Sequence, residues 1–64
     1  MKSTFYKNFV LAADMGKLTV FDQKSGQQLS TLTLPFPSVD FICSQSDRIT
    51  MAFAGELFLF KISQ

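Results

Sequence analysis

The chain has no histidine and no tryptophan, and only one cysteine, two prolines and three glycines in 64 residues. Without histidine, the commonest general base and metal ligand is missing, so Ser-His and Cys-His nucleophile pairs are impossible within the chain. A single cysteine, Cys43, makes no internal disulfide and offers no thiolate metal spacing, and a reducing compartment, cytoplasmic or nuclear, is the default expectation. The glycines, Gly16, Gly26 and Gly55, stand singly rather than in the cluster that cradles a phosphate. Charge is also scarce: 17% of residues carry it, the net charge is +1, and no basic patch marks a nucleic-acid or anionic-membrane partner. Acidic and basic residues from Asp14 to Lys61 interrupt every apolar stretch, which excludes a membrane-spanning helix, and Phe9–Ala13 is too short for the core of a signal peptide. The five carboxylates are scattered, and a pair such as Asp14 and Asp22 is expected to be solvated or turn-capping. A non-enzyme with no cofactor and no metal is therefore expected.

What the chain does have is apolar bulk. Hydrophobic residues make up 47% of it and eight are phenylalanine, so it does not have the low hydrophobicity and high charge of disorder. Domains of this size bury only about 60% of their unfolded surface and are marginal alone. The apolar runs are short, rich in Phe, Val, Leu, Ile and Thr, and bounded by turn residues, which is the pattern of strands. Strands are expected at Phe9–Asp14, Lys17–Asp22, Gln28–Leu34, Val39–Ser44, Arg48–Ala54 and Glu56–Ile62, with reversals at Asp14-Met15-Gly16, Lys24-Ser25-Gly26, Gln45-Ser46-Asp47 and Gly55. Pro35-Phe36-Pro37 removes two ladder donors and separates one meander from the next.

Sliding the sequence along itself until Gly55 falls on Gly16 also places Ala52 on Ala13, Leu57 on Leu18 and Phe60 on Phe21, and pairs Ile49 with Val10 and Leu59 with Val20. A period of about forty residues built from strands alone fits radially repeated four-stranded sheets. Leu57-Phe58-Leu59-Phe60 is apolar on both faces of the pleat, so that strand calls for cover on both sides. Taken as one layer, the expected strands have no second sheet to supply it. A small curled barrel, a self-associating sheet or a piece of something larger are the remaining alternatives.

These residues resemble a known family. Gly16 through Leu32 looks like the stretch of a WD40 repeat that runs through its second and third inner strands, with Phe21-Asp22 where the family has Trp-Asp and Ser25-Gly26 in the next turn. Arg48 through Ile62 looks like the same element, with Phe60-Lys61 at that place. The family's Gly-His pair and its Trp are absent, so its buried polar relay cannot form, although Asp14 stands near the position of the turn Asp. The Gly-x-Leu, Asp and Ser-Gly elements also resemble quinoprotein-type propeller repeats. The resemblance implies an all-β fold of antiparallel meander strands, a β-propeller fragment with one blade-length repeat and part of another: 9–34 ends one blade and 38–62 begins the next. It further implies a protein-interaction scaffold, such as a complex-assembly or substrate-adaptor subunit, whose partners are proteins or the remaining blades. The alternative is a small, self-associating all-β structural protein that forms homo-oligomers through open strand edges.

Met15, Phe36 and Arg48 are the candidate partner-binding residues. In the propeller mapping the loops holding Met15, Phe36 and Gly55 open on one rim, and Phe36 on its proline-flanked loop is either cover for a core edge or an interface anchor. Arg48 and Lys17 are either partner contacts or solvated charges. Cys43, on a face with Val39 and Phe41, is expected to be a small buried hydrophobe, since a reactive thiol needs exposure and a basic neighbour.

Overall fold

The computed structural model describes residues 1–61, and its regular structure is entirely strand. Seven strands form in chain order: β1 (Lys2–Tyr6), β2 (Phe9–Asp14), β3 (Lys17–Asp22), β4 (Gln28–Thr33), β5 (Phe41–Gln45), β6 (Arg48–Phe53) and β7 (Glu56–Lys61). They build two antiparallel meanders, a four-stranded first sheet β1-β2-β3-β4 and a three-stranded second sheet β5-β6-β7. The fold is all-β. No helix among the described residues is long and apolar enough to cross a membrane.

β2 and β3 have the bounds expected from the sequence, whereas β4, β5 and β6 differ by a residue or two at their ends. Ala54, expected at the end of β6, lies at φ 53° in the following reversal, and Ile62 of the expected last strand lies outside the described residues. β1 is an addition. Lys2-Ser3-Thr4-Phe5-Tyr6 has little apolar alternation, so it is recruited by its ladder with β2 rather than by its own pattern.

Connections within each meander are tight. Met15 and Gly16 link β2 to β3 at φ 51° and 77°, and Ala54 and Gly55 link β6 to β7 at 53° and 80°. Positive φ at both central residues matches the right-handed strand twist, which is why a glycine follows each non-glycine residue here. Lys7 and Ser46, at φ 52° and 59°, open the other pair of reversals. The sequence echo extends to the strands. The shift that carries Gly16 onto Gly55 also carries the bounds of β1, β2 and β3 onto those of β5, β6 and β7, and Lys7, Met15 and Gly16 onto Ser46, Ala54 and Gly55, the positive-φ residues of the equivalent reversals.

The two sheets face one another, and each gives the other's apolar face the cover it calls for. By register, Leu11, Ala13, Leu18 and Val20 share one face of the first sheet, and Ile42, Ile49, Met51, Phe58 and Phe60 share one face of the second. These two sets form the core, joined by Tyr6, Phe36 and Val39. The crossing Leu34–Asp40 makes this possible: Leu34 N–H donates to Gly16 O and Asp40 N–H to Ala52 O, at 2.8 and 2.7 Å, so the segment is anchored to both sheets. β1 and β5 adjoin, and Ser44 Oγ donates to the Phe5 carbonyl.

Met51 is the hub of this contact, with 0% exposure. Truncation there removes a side chain surrounded on all sides, and Met51→Ala is expected to cost about 2–5 kcal/mol. The check is chemical denaturation of the two chains. A loss below about 0.5 kcal/mol, the level of an ordinary surface change, contradicts the inter-sheet core.

Candidate interaction faces

The three candidate residues lie in different environments. Met15 is 85% exposed at the tip of the β2–β3 reversal. Phe36 follows the core-cover reading and drops out as a partner contact: it is 5% exposed, its ring stacked on Phe53 at 5.8 Å and tilted against Phe58 at 4.7 Å between centroids. The flanking prolines do not hold it out, and its ring packs into the inter-sheet core beside Phe53 and Phe58. It is core cover and not an interface anchor. Arg48 is exposed at the start of β6, while Phe36 packs at that strand's far end against Phe53. Five strand steps of about 3.3 Å separate Arg48 from that rim. Met15, Gly16 and Pro35–Pro37 line one shallow hollow together, which brings two of the three loops expected on one rim, those of Met15 and Phe36, side by side; Gly55 does not line it.

Cys43 is corrected. It is exposed, because the inward positions of β5 are Ile42 and Ser44, and strict alternation sends Phe41 and Cys43 to the other side. Val39 is buried all the same, since it precedes the strand and turns in from the crossing. Of the carboxylates, Asp14 pairs with Lys17 at one end of the β2–β3 ladder while Asp22 pairs with Phe9 at the other, so the two do not meet.

Asp22 instead organises a turn. Its Oδ2 accepts from Ser25 N–H and from Ser25 Oγ, both at 2.8 Å, and Gly26 N–H donates to its carbonyl at 2.8 Å. The Ser25 backbone and hydroxyl donors hold the carboxyl below its ordinary value of 3.8. The side-chain chemistry of this element is turn-building.

Among the described residues, three apolar surfaces are open. The first is a cleft of about 550 Å³ between the sheets, lined by Leu18, Val20, Leu29, Leu32, Met51 and Phe60. It exists because β4 lies opposite no fourth strand of the second sheet among the described residues. A bulge at Val20/Phe21 adds Leu29 to this lining. The second surface is the outer face of the second sheet, where Phe41, Leu57 and Leu59 are 45%, 61% and 62% exposed around Ala52. The third is the outer face of the first sheet, with Phe5 66% exposed beside Val10 and Phe21. Two of these three come from one cause, alternation in strands that have apolar residues on both sides but cover on one. The Leu-Phe-Leu-Phe run signals the second face, whereas the first-sheet face has no such signal, because Phe5 joins it only through the pairing of β1 with β2.

No family model, no curated protein and no solved structure matches the chain.

Asp22 yields a pH prediction. Its folded value is depressed, so the stability it contributes is complete above the unfolded value of about 4 and is lost as pH falls through the folded value. Asp22→Asn is expected to melt below the natural chain at pH 7, with the gap closing as pH is lowered below about 4. A gap that stays constant from neutral to acid in paired thermal melts contradicts the role of the carboxylate.

Proposed function

We propose that the chain is a non-enzymatic protein-interaction module, a scaffold built from successive blade-like sheets and resembling a segment of a WD40-type propeller. The single observation that carries this reading is the repeat: two meanders whose strand bounds and reversals coincide under one sequence shift, stacked face to face. Radially repeated sheets stack in this way, and they recruit partners on exposed loops over a rigid frame. Met15 on the rim and Arg48 at the opposite strand ends are the side chains assigned to partner contact, since both are exposed and neither supports the core. The analogy to scaffold subunits rests on fold-level likeness. A second reading, a self-associating structural protein, is favoured by the exposed leucines and phenylalanines of the two outer sheet faces.

The scaffold reading predicts a protein partner that co-purifies stoichiometrically with the tagged chain and is lost in Met15→Asp or Arg48→Glu while the melting temperature is unchanged. Both variants retaining the partner contradicts these two residues. The absence of any stoichiometric partner contradicts the scaffold.

A further inference from the structure

The repeat relates the two sheets in a way that also pairs their free faces. The first-sheet positions that pack on the second sheet are Leu11, Ala13, Leu18 and Val20. Under the shift that carries Gly16 onto Gly55, their equivalents are Thr50, Ala52, Leu57 and Leu59, which make up the uncovered face of the second sheet. In the other direction, Ile49, Met51 and Phe60 pack on the first sheet, and their equivalents Val10, Ala12 and Phe21 lie on its uncovered face. The chain therefore carries both halves of a junction it already makes once: a donor face at one side and an acceptor face at the other.

We infer that the outer face of the second sheet, built on Leu57, Leu59, Ala52 and Phe41, docks on the outer face of the first sheet, Phe5, Val10, Ala12 and Phe21, of a second copy of this chain. The contact is head-to-tail and repeats the intramolecular junction. It rests on the second, self-associating reading and specifies which faces meet. Because one step of the operation carries one sheet onto the next, its continuation closes a ring when the rotation divides the circle. With two sheets per chain and about four to eight sheets in closed radial assemblies, the ring holds about two to four copies. The junction between copies is weaker than the internal one. Thr50 replaces Leu11, Arg48 replaces Phe9 and Ala12 replaces Met51, so less apolar surface is removed from water per contact. Association is accordingly reversible and concentration-dependent. Leu18 and Leu57, Ala13 and Ala52, and Phe21 and Phe60 keep their character in both junctions.

Two further alternatives on this surface have different signatures. A like-to-like dimer through the second sheet alone needs no part of the first, and a different protein covering the faces leaves the pure chain monomeric.

The test is the mass of the purified chain by light scattering over a concentration series, together with Phe5→Glu and the double variant Leu57→Glu/Leu59→Glu. All three positions are exposed, so each variant is expected to keep the melt of a folded monomer. The natural chain is expected to be a multimer of discrete size, each variant alone a monomer, and an equimolar mixture of the two variants a one-to-one heterodimer, because each retains the face the other has lost. Recovery in the mixture also shows that both variants are folded. As a second readout, a short bis-maleimide is expected to join Cys43 of one copy to the thiol introduced by Ser3→Cys in its neighbour, and to leave the natural chain uncrosslinked. A multimer indifferent to Phe5→Glu, or Cys43-to-Cys43 crosslinks in the natural chain, overturns head-to-tail docking while leaving self-association standing. A monomer at every concentration overturns both.

Discussion

The structure depends on one contact, the burial of Leu11, Ala13 and Leu18 of the first sheet against Ile42, Ile49 and Met51 of the second. Among the described residues neither meander has another surface on which to hide its inward apolar face, and a three- or four-stranded layer alone is a poor core. Phe36 packs into that contact, and the prolines around it fix φ at two places in the crossing from one sheet to the other. Without this crossing the two meanders have no means of facing one another.

A chain of this size removes only part of its apolar surface from water. Here the shortfall has a definite location: one side of each sheet and the flare between the outer strands. Exposed leucines and phenylalanines on flat strand faces favour further association, and the repeat dictates which face suits which. The polar chemistry that is present, the Asp22 carboxylate accepting from Ser25 and Gly26 N–H donating to its carbonyl, is spent on holding a turn.

Most of the strand pattern was legible in the chain because alternation, turn residues and prolines act over a few neighbours. Phe9–Asp14 and Lys17–Asp22 follow from period-two patterning between glycine and polar reversals. Lys2–Tyr6 did not, because its pairing with β2 supplies what its composition lacks. The exposure of Cys43 is hidden in the sequence because Val39, Phe41 and Cys43 read as one strand face, whereas Val39 enters the core from the crossing and has no part in the alternation. Phe36 is legible as a rigid loop aromatic, but whether it points outward or inward depends on Phe53 and Phe58, which belong to the strands of the second sheet.

The amino-acid sequence alone determined the all-β class, the reversals at Met15-Gly16, Ser25-Gly26, Ser46-Asp47 and Gly55, the repeat that matches Gly16 with Gly55 and the exclusion of histidine- and disulfide-based chemistry, since each rests on residue type and local spacing. Tertiary structure alone decided which face of each meander turns toward the other, that Phe36 is core and Cys43 surface, and that the uncovered faces are repeat-equivalent to the covered ones. The physical reason is that strand alternation sorts side chains into two sets without saying which set is inward. That choice belongs to the sheet on the other side.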